Sequence, residues 1–320
     1  MVTLSEIQSA QVRLNGVTAR TRLIEFHHLE STSRRLFLKP ENQQPIGAFK
    51  LRGAYNKIAS LTEENRKRGV ITYSSGNHAQ GVAYAARALG IKAVIVMPDN
   101  APAIKRHATA ALGAEIVTVG PGSAERQSKA EDLAKQYGYV IVPPYNDEQI
   151  IAGQGTIGLE ILEDLPEVEA VFAPVGGGGM ISGVATAIKL SQPNVKIIGV
   201  EPELAGDARA SLYAGKIIQF PASEVSRTMA DGLRTQSVGP ITFEHIRRYV
   251  DDIITVSENE IRQTVRLLAE NTETVAEPSG AVAAAGFLFH RDQLPATKIN
   301  VAIISGGNID PDMLKQMRGE

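Results

Sequence analysis

The chain of 320 residues contains no cysteine, which removes disulfides, thiolate zinc sites, iron–sulfur clusters and cysteine nucleophiles together. Its chemistry must use oxygen, nitrogen or a borrowed cofactor. A dominant charge sign is missing too. Lys+Arg 33 against Asp+Glu 35 leaves a formal charge of −2, so no global positive field exists to hold a nucleic-acid backbone or an anionic membrane. The N-terminus, Met1-Val2-Thr3-Leu4-Ser5-Glu6, has no basic stretch followed by an apolar core, and no run of about 18 apolar residues occurs. We therefore expect a soluble, cytoplasmic protein that binds neither nucleic acid nor membrane. Internal repeats, low-complexity tracts and long charge runs are also absent. What is present is a globular composition, 43% hydrophobic and 21% charged with 29 glycines, sufficient for two domains with cores of their own.

Short β-branched runs alternate with helical patterns, which predicts βα units and a mainly parallel sheet. Strands are expected at Leu36–Leu38, Val70–Tyr73, Ala93–Met97, Glu115–Val119, Tyr139–Val142, Ala170–Val175, Lys196–Val200, Ile253–Val256 and Ile299–Ile304. Several are apolar without alternation, as strands covered on both faces are. Between them Leu51, Ala54, Tyr55 and Ile58 recur at helical spacing, and the Ala79–Leu89 stretch ends at Gly90, a residue suited to the position after a helix. Thr3 with Glu6, and Ser257 with Glu260, fit capping boxes. Pro143-Pro144 neither continues a helix nor fits a central strand, so a boundary is placed there. The expected division is a large domain of residues 1–64 and 144–320 and a small one of 65–143. Ile217–Gly239 sustains neither period.

Val175-Gly176-Gly177-Gly178-Gly179-Met180 follows one expected strand and precedes a helical stretch. Four glycines let successive backbone N–H groups, and the positive start of the next helix, converge on one anion such as a phosphate. A tight turn alone needs only one or two. The dinucleotide pattern G-x-G-x-x-G fails, because Gly177 and Gly179 are followed at the required position by Ser182, and Gly176 and Gly178 by Ile181. The nucleoside-triphosphate pattern fails too, because Val184 follows Gly183.

Ser74-Ser75-Gly76-Asn77-His78 also lies between a strand and a helix, where it can cap the helix or bind an anion. His78 could act as a base, although a lone histidine beside a helix start is more commonly structural. Gly47-Ala48-Phe49-Lys50-Leu51-Arg52-Gly53 puts a lysine at a helix start, where the positive field favours the free, nucleophilic amine. Ser305-Gly306-Gly307-Asn308 closes the last strand. Three polar, glycine-bearing loops thus sit at strand ends, where open α/β sheets bind ligands.

These blocks, together with Ala152-Gly153-Gln154-Gly155-Thr156, resemble the fold-type-II pyridoxal-phosphate enzymes, in particular the serine/threonine dehydratase and serine racemase family. The resemblance covers nearly the whole chain, with five blocks in family order. It implies a two-lobed, tryptophan synthase β-like α/β fold with mainly parallel sheets. It further implies that Lys50 forms the Schiff base with the cofactor aldehyde and later moves the substrate α-proton. Phe49 would lie against the pyridine ring, Asn77 would bond the ring hydroxyl, and Gly176, Gly177, Gly178 and Gly179 would cradle the phosphate. Ser305 falls at the family's partner position for the ring nitrogen. A neutral hydroxyl there delocalises less carbanion charge than an aspartate would, which suits prompt β-elimination. The loop Ser74, Ser75, Gly76 and Asn77 would grip the substrate carboxylate, and Ser75 is the acid/base that the racemase branch uses on the opposite face.

Glu201, the Ala205 carbonyl and Asp207 match the divalent-metal site of racemase-like members, an oxygen set suited to Mg²⁺ or to Ca²⁺ or Mn²⁺. Arg126, in Pro121-Gly122-Ser123-Ala124-Glu125-Arg126, aligns with an arginine of the racemase and hydroxyaspartate-dehydratase members and could bind a second substrate carboxylate or help close the small lobe. The implied activity is an ammonia-lyase that converts L-threonine and L-serine to 2-oxo acids. Alternatives are a serine racemase with side elimination, a 3-hydroxyaspartate ammonia-lyase, and a non-catalytic phosphometabolite sensor on the same fold. The family also leads us to expect a homodimer. Because the chain stops at Glu320, without the regulatory domain of the biosynthetic dehydratases, feedback control by isoleucine is not expected.

Overall fold

Each strand expected from the sequence forms, and a further two-residue strand, too short to leave a pattern, joins them. The protein is described by a computed structural model covering residues 1–27, 34–101, 103–120 and 122–318. Its strands are β1 (Ile24–Glu25), β2 (Arg35–Pro40), β3 (Val70–Tyr73), β4 (Ala93–Pro98), β5 (Glu115–Val119), β6 (Val140–Ile141), β7 (Ala170–Pro174), β8 (Lys196–Pro202), β9 (Asp252–Val256) and β10 (Ile299–Ile304). They form a six-stranded sheet, β1-β2-β10-β7-β8-β9, and a four-stranded sheet, β5-β4-β3-β6. Among the strand pairings of the described residues only β1–β2 is antiparallel. The small sheet draws all its strands from residues 70–141.

The uninterrupted apolar runs are explained by two-sided covering. Along β7, Ala170 and Phe172 enter one core with Ala281–Ala285 and Phe287 of the Pro278–His290 helix. Val171 and Ala173, pointing the other way, pack with Ile181, Val184 and Ile188 of the Gly179–Ser191 helix. The first 60 residues divide between the two sheets. β2 lies beside β10, with Ile299 opposite Arg35. Ala54 and Ile58 of the Lys50–Ala59 helix instead join Val70, Val82, Ile95 and Met97 in the core of the small sheet.

Local signals behave as their chemistry dictates. Thr3 with Glu6 and Ser257 with Glu260 form reciprocal capping boxes, and Gly90 takes the left-handed conformation just beyond the Asn77–Ala88 helix. Residues 217–239 are irregular apart from one turn of helix at Ala222–Val225 and another at Asp231–Leu233. Among the described residues no helix is long and apolar enough to cross a membrane.

Candidate active site

Lys50 is the first residue of the Lys50–Ala59 helix, and the loop before it is stitched to the loop after β10. Ala48 and Gly306 form an isolated antiparallel bridge. The Phe49 N–H donates to the Ser305 carbonyl at 3.0 Å, and the Gly307 N–H to the Gly47 carbonyl at 2.9 Å. Asn308 extends the junction, donating to the Ile46 carbonyl at 2.9 Å and to Asn77 Oδ1 at 2.7 Å. Three of the loops singled out in the sequence therefore meet at one amide side chain.

The Lys50 amine is partly buried and donates to the Pro144 carbonyl at 2.8 Å. It lies 5.1 Å from the centroid of the Phe49 ring. Removal from water lowers its pKa to about 8, since burial penalises the charged form. The sequence argument expected this direction but assigned it to the helix-start field.

The glycine loop reaches the same place through Tyr145, one residue beyond Pro144. A Cβ at Gly177 would stand 2.3 Å from the Tyr145 ring, one at Gly179 would stand 2.9 Å from the Tyr145 Cβ, and Gly178 has φ +88°, so three of the four positions require glycine. Gly176 lies against Leu233 of the irregular segment. Thr242 Oγ1 donates to the Gly177 carbonyl at 2.8 Å. Gly179 opens the Gly179–Ser191 helix, whose positive end faces the loop.

The remaining predicted residues are placed as follows. Ser74 Oγ accepts from the Gly76 N–H at 3.3 Å, which curls the Ser74-Ser75-Gly76 turn before Asn77. The Asn77 amide is oriented from both sides, donating to Glu277 Oε1 at 2.6 Å while receiving Asn308. Ser305 is buried and its hydroxyl points at the Ser279 carbonyl, 3.4 Å away. Glu201 caps the Asp207–Ala214 helix, accepting from Ala208 N–H at 3.0 Å and Arg209 N–H at 2.8 Å. Asp207 is buried, and neither of its carboxylate oxygens has a hydrogen-bond partner. Burial pushes Asp207 up to about 7, and burial followed by the Asp207 charge pushes Glu201 well above the carboxylate range. Ala205 is buried in the turn between them. Arg126 is half-buried on the Ser123–Tyr137 helix, which packs on β3 and β4; Pro121, at the head of its block, lies outside the described residues.

Tyr145, Glu277, Asn308, Thr242 and the Pro144 carbonyl were not singled out by sequence reasoning. Asn308 lay inside a quoted block, but the other four carried only a boundary signal or none.

A lowered amine, joined through Pro144 and Tyr145 to a loop in which three of four positions require glycine, fits an aldehyde-bearing phosphate ester. That combination defines the pyridoxal-phosphate-dependent enzymes. Residues 14–306 match this family, and the chain belongs to it, which sets the sensor alternative aside. Among its relatives, it is 47% identical to the L-threonine ammonia-lyase of Thermotoga maritima over 99% of this chain and 78% of that protein. It is 40% identical to the L-threo-3-hydroxyaspartate ammonia-lyase of Saccharomyces cerevisiae, covering 96% of this chain and 94% of that one. The structure of maize serine racemase superposes with a TM-score of 0.94 at 37% identity, covering 98% and 96% of the two chains.

Proposed function

We propose that this enzyme is an ammonia-lyase for L-threonine and L-serine. The observation that carries the reading is the likeness, over 99% of this chain, to the Thermotoga maritima L-threonine ammonia-lyase. When bound, pyridoxal phosphate supplies an aldehyde for amines and a ring that accepts the electron pair left by an α-proton. Lys50 is the amine that would hold the cofactor and, once free, would take the α-proton. The backbone of Gly176, Gly177, Gly178 and Gly179 would receive the phosphate, Asn77 the ring hydroxyl and Ser305 the ring nitrogen, and Phe49 would flank the ring. Ser74, Ser75, Gly76 and Asn77 hold the substrate carboxylate by N–H and side-chain donors. The α-proton and β-hydroxyl depart as one water, and hydrolysis of the resulting enamine consumes one water to give the 2-oxo acid and ammonia. Residues 65–143, carrying their own sheet, close over the substrate.

Glu201, Asp207 and the Ala205 carbonyl are read as a divalent-cation site, with Mg²⁺ the first choice. The unpartnered oxygens of buried Asp207 support this, since a buried carboxylate needs compensation. No group of three or more His, Cys, Asp or Glu gathers among the described residues, so carbonyl and water oxygens would complete the shell. The cytoplasmic location expected from the sequence and the homodimer expected from the family resemblance are part of this reading.

A second reading is favoured by Ser75, whose hydroxyl permits reprotonation from the far face, and by the likeness to maize serine racemase. Arg126 and the yeast relative similarly favour 3-hydroxyaspartate. One panel separates them. Ammonia and 2-oxo acid release is measured from L-threonine, L-serine and both 3-hydroxyaspartates, alongside D-serine formation. We expect L-threonine to give the highest kcat/KM, and dominant D-serine output or preference for a 3-hydroxyaspartate would overturn the assignment.

A further inference from the structure

The carbonyl that receives the Lys50 amine belongs to a short strap, and the strap has a second anchor two residues earlier. His78, the second residue of the Asn77–Ala88 helix, is 3% exposed, and its Nε2 lies 3.0 Å from the Val142 carbonyl oxygen. A carbonyl can only accept, so Nε2 carries the proton. Nδ1 is buried without a hydrogen-bond partner. Burial first, and the charge of Lys50 second, bring the ring to about 3, so it stays neutral near pH 7 and acts as one fixed donor rather than as a proton shuttle. Its helix lies close to Lys50, since a Cβ at Gly81 would stand 3.2 Å from the Lys50 carbonyl.

The strap itself is stiff. Val142 N–H donates to the Ile71 carbonyl at 2.8 Å beyond the end of β6. Pro143 and Pro144 then follow with restricted φ and no N–H to spend on alternative partners. The segment between the Val142 and Pro144 carbonyls therefore has fewer free torsions with which to absorb a displacement. Past Pro144, Tyr145 covers the glycine loop, and Asn146 Oδ1 accepts the Ile241 N–H at 2.8 Å.

We propose that His78 is a positioning residue for Lys50: by holding the Val142 carbonyl it fixes the strap whose Pro144 carbonyl receives the lysine amine. The proposal rests on Lys50 being the cofactor-binding lysine. It is tested on apoprotein mixed with pyridoxal phosphate, the capture rate being followed by absorbance and the adduct located by borohydride reduction and peptide mapping. His78→Leu keeps bulk and loses the donor, His78→Gln restores an amide donor at the Nε2 position, and His78→Asn places its amide too short to reach.

With apoprotein melting temperatures matched, His78→Leu and His78→Asn should capture the cofactor about tenfold more slowly, and His78→Gln should recover most of the wild-type rate. Wild-type capture by His78→Asn, or a His78→Gln rate as low as that of His78→Asn, overturns the proposal even where the leucine variant fails to fold. Failure of the wild-type chain to form an adduct at Lys50 instead overturns the assignment of that lysine.

Discussion

At the scale of single residues, the chemistry turns on how much of the Lys50 amine is neutral. A lysine at its ordinary value of 10.5 is about 0.1% neutral at pH 7.5, whereas one brought down to about 8 is about one-quarter neutral. Burial is sufficient cause, and a neighbouring carboxylate would have worked in the opposite direction. The sign of the pH dependence follows, because only the free amine is nucleophilic. Acylation of the apoprotein by a small amine-reactive anhydride, read at the Lys50 peptide by mass spectrometry, should rise with pH through a midpoint near 8 and then level off. A midpoint at the ordinary lysine value would show that the amine is solvated and that the buried geometry does not govern its reactivity.

At the scale of elements, the end of β8 and the start of the Asp207–Ala214 helix bring two carboxylates into one buried corner. Glu201 spends its oxygens on helix N–H groups, while Asp207 is left without a partner. A divalent cation would offset that cost, and binding at one hundred times its Kd stabilises the fold by about 2.7 kcal/mol. Chelator-treated protein should therefore melt below the Mg²⁺-supplemented protein, and Asp207→Asn should abolish the difference. Identical melts with chelator and with Mg²⁺ would leave the corner as an acidic turn.

The glycine loop was legible in the sequence because its four glycines are contiguous and follow an apolar run. The capping boxes were legible because both partners lie within one turn. Asn308 meets Asn77 across 231 positions, and Asn77 meets Glu277 across 200; such pairs leave no periodic trace. Tyr145 escaped for another reason. Its neighbours Pro143 and Pro144 read as punctuation between strands, whereas in the fold the same segment joins Lys50 to the glycine loop.

At the scale of the whole molecule, the two sheets must hold one register for these loops to meet, and a buried ionic cluster two residues beyond Lys50 ties the elements together. Arg52, 1% exposed, forms a bidentate pair with Glu41 at 2.7 and 2.8 Å and reaches Glu160 at 2.7 and 2.9 Å. Lys39 from β2 donates to Glu160 at 2.6 Å and to the Thr21 carbonyl at 2.5 Å. Burial alone would raise Glu41, yet Arg52 and Lys39 hold it below the usual range. Two cations and two anions thus neutralise one another while joining β2, the Lys50–Ala59 helix and the Glu148–Asp164 helix.

Removing one member of such a cluster leaves a buried charge uncompensated and costs about 3–5 kcal/mol. Arg52→Met should therefore destabilise the chain by about that amount in chemical denaturation. Adding Glu41→Gln to it should restore part of the loss, because the remaining Lys39–Glu160 pair is balanced. If the two substitutions instead destabilise additively, the charges are compensated by solvent rather than by one another, and the cluster does not tie the two helices to β2.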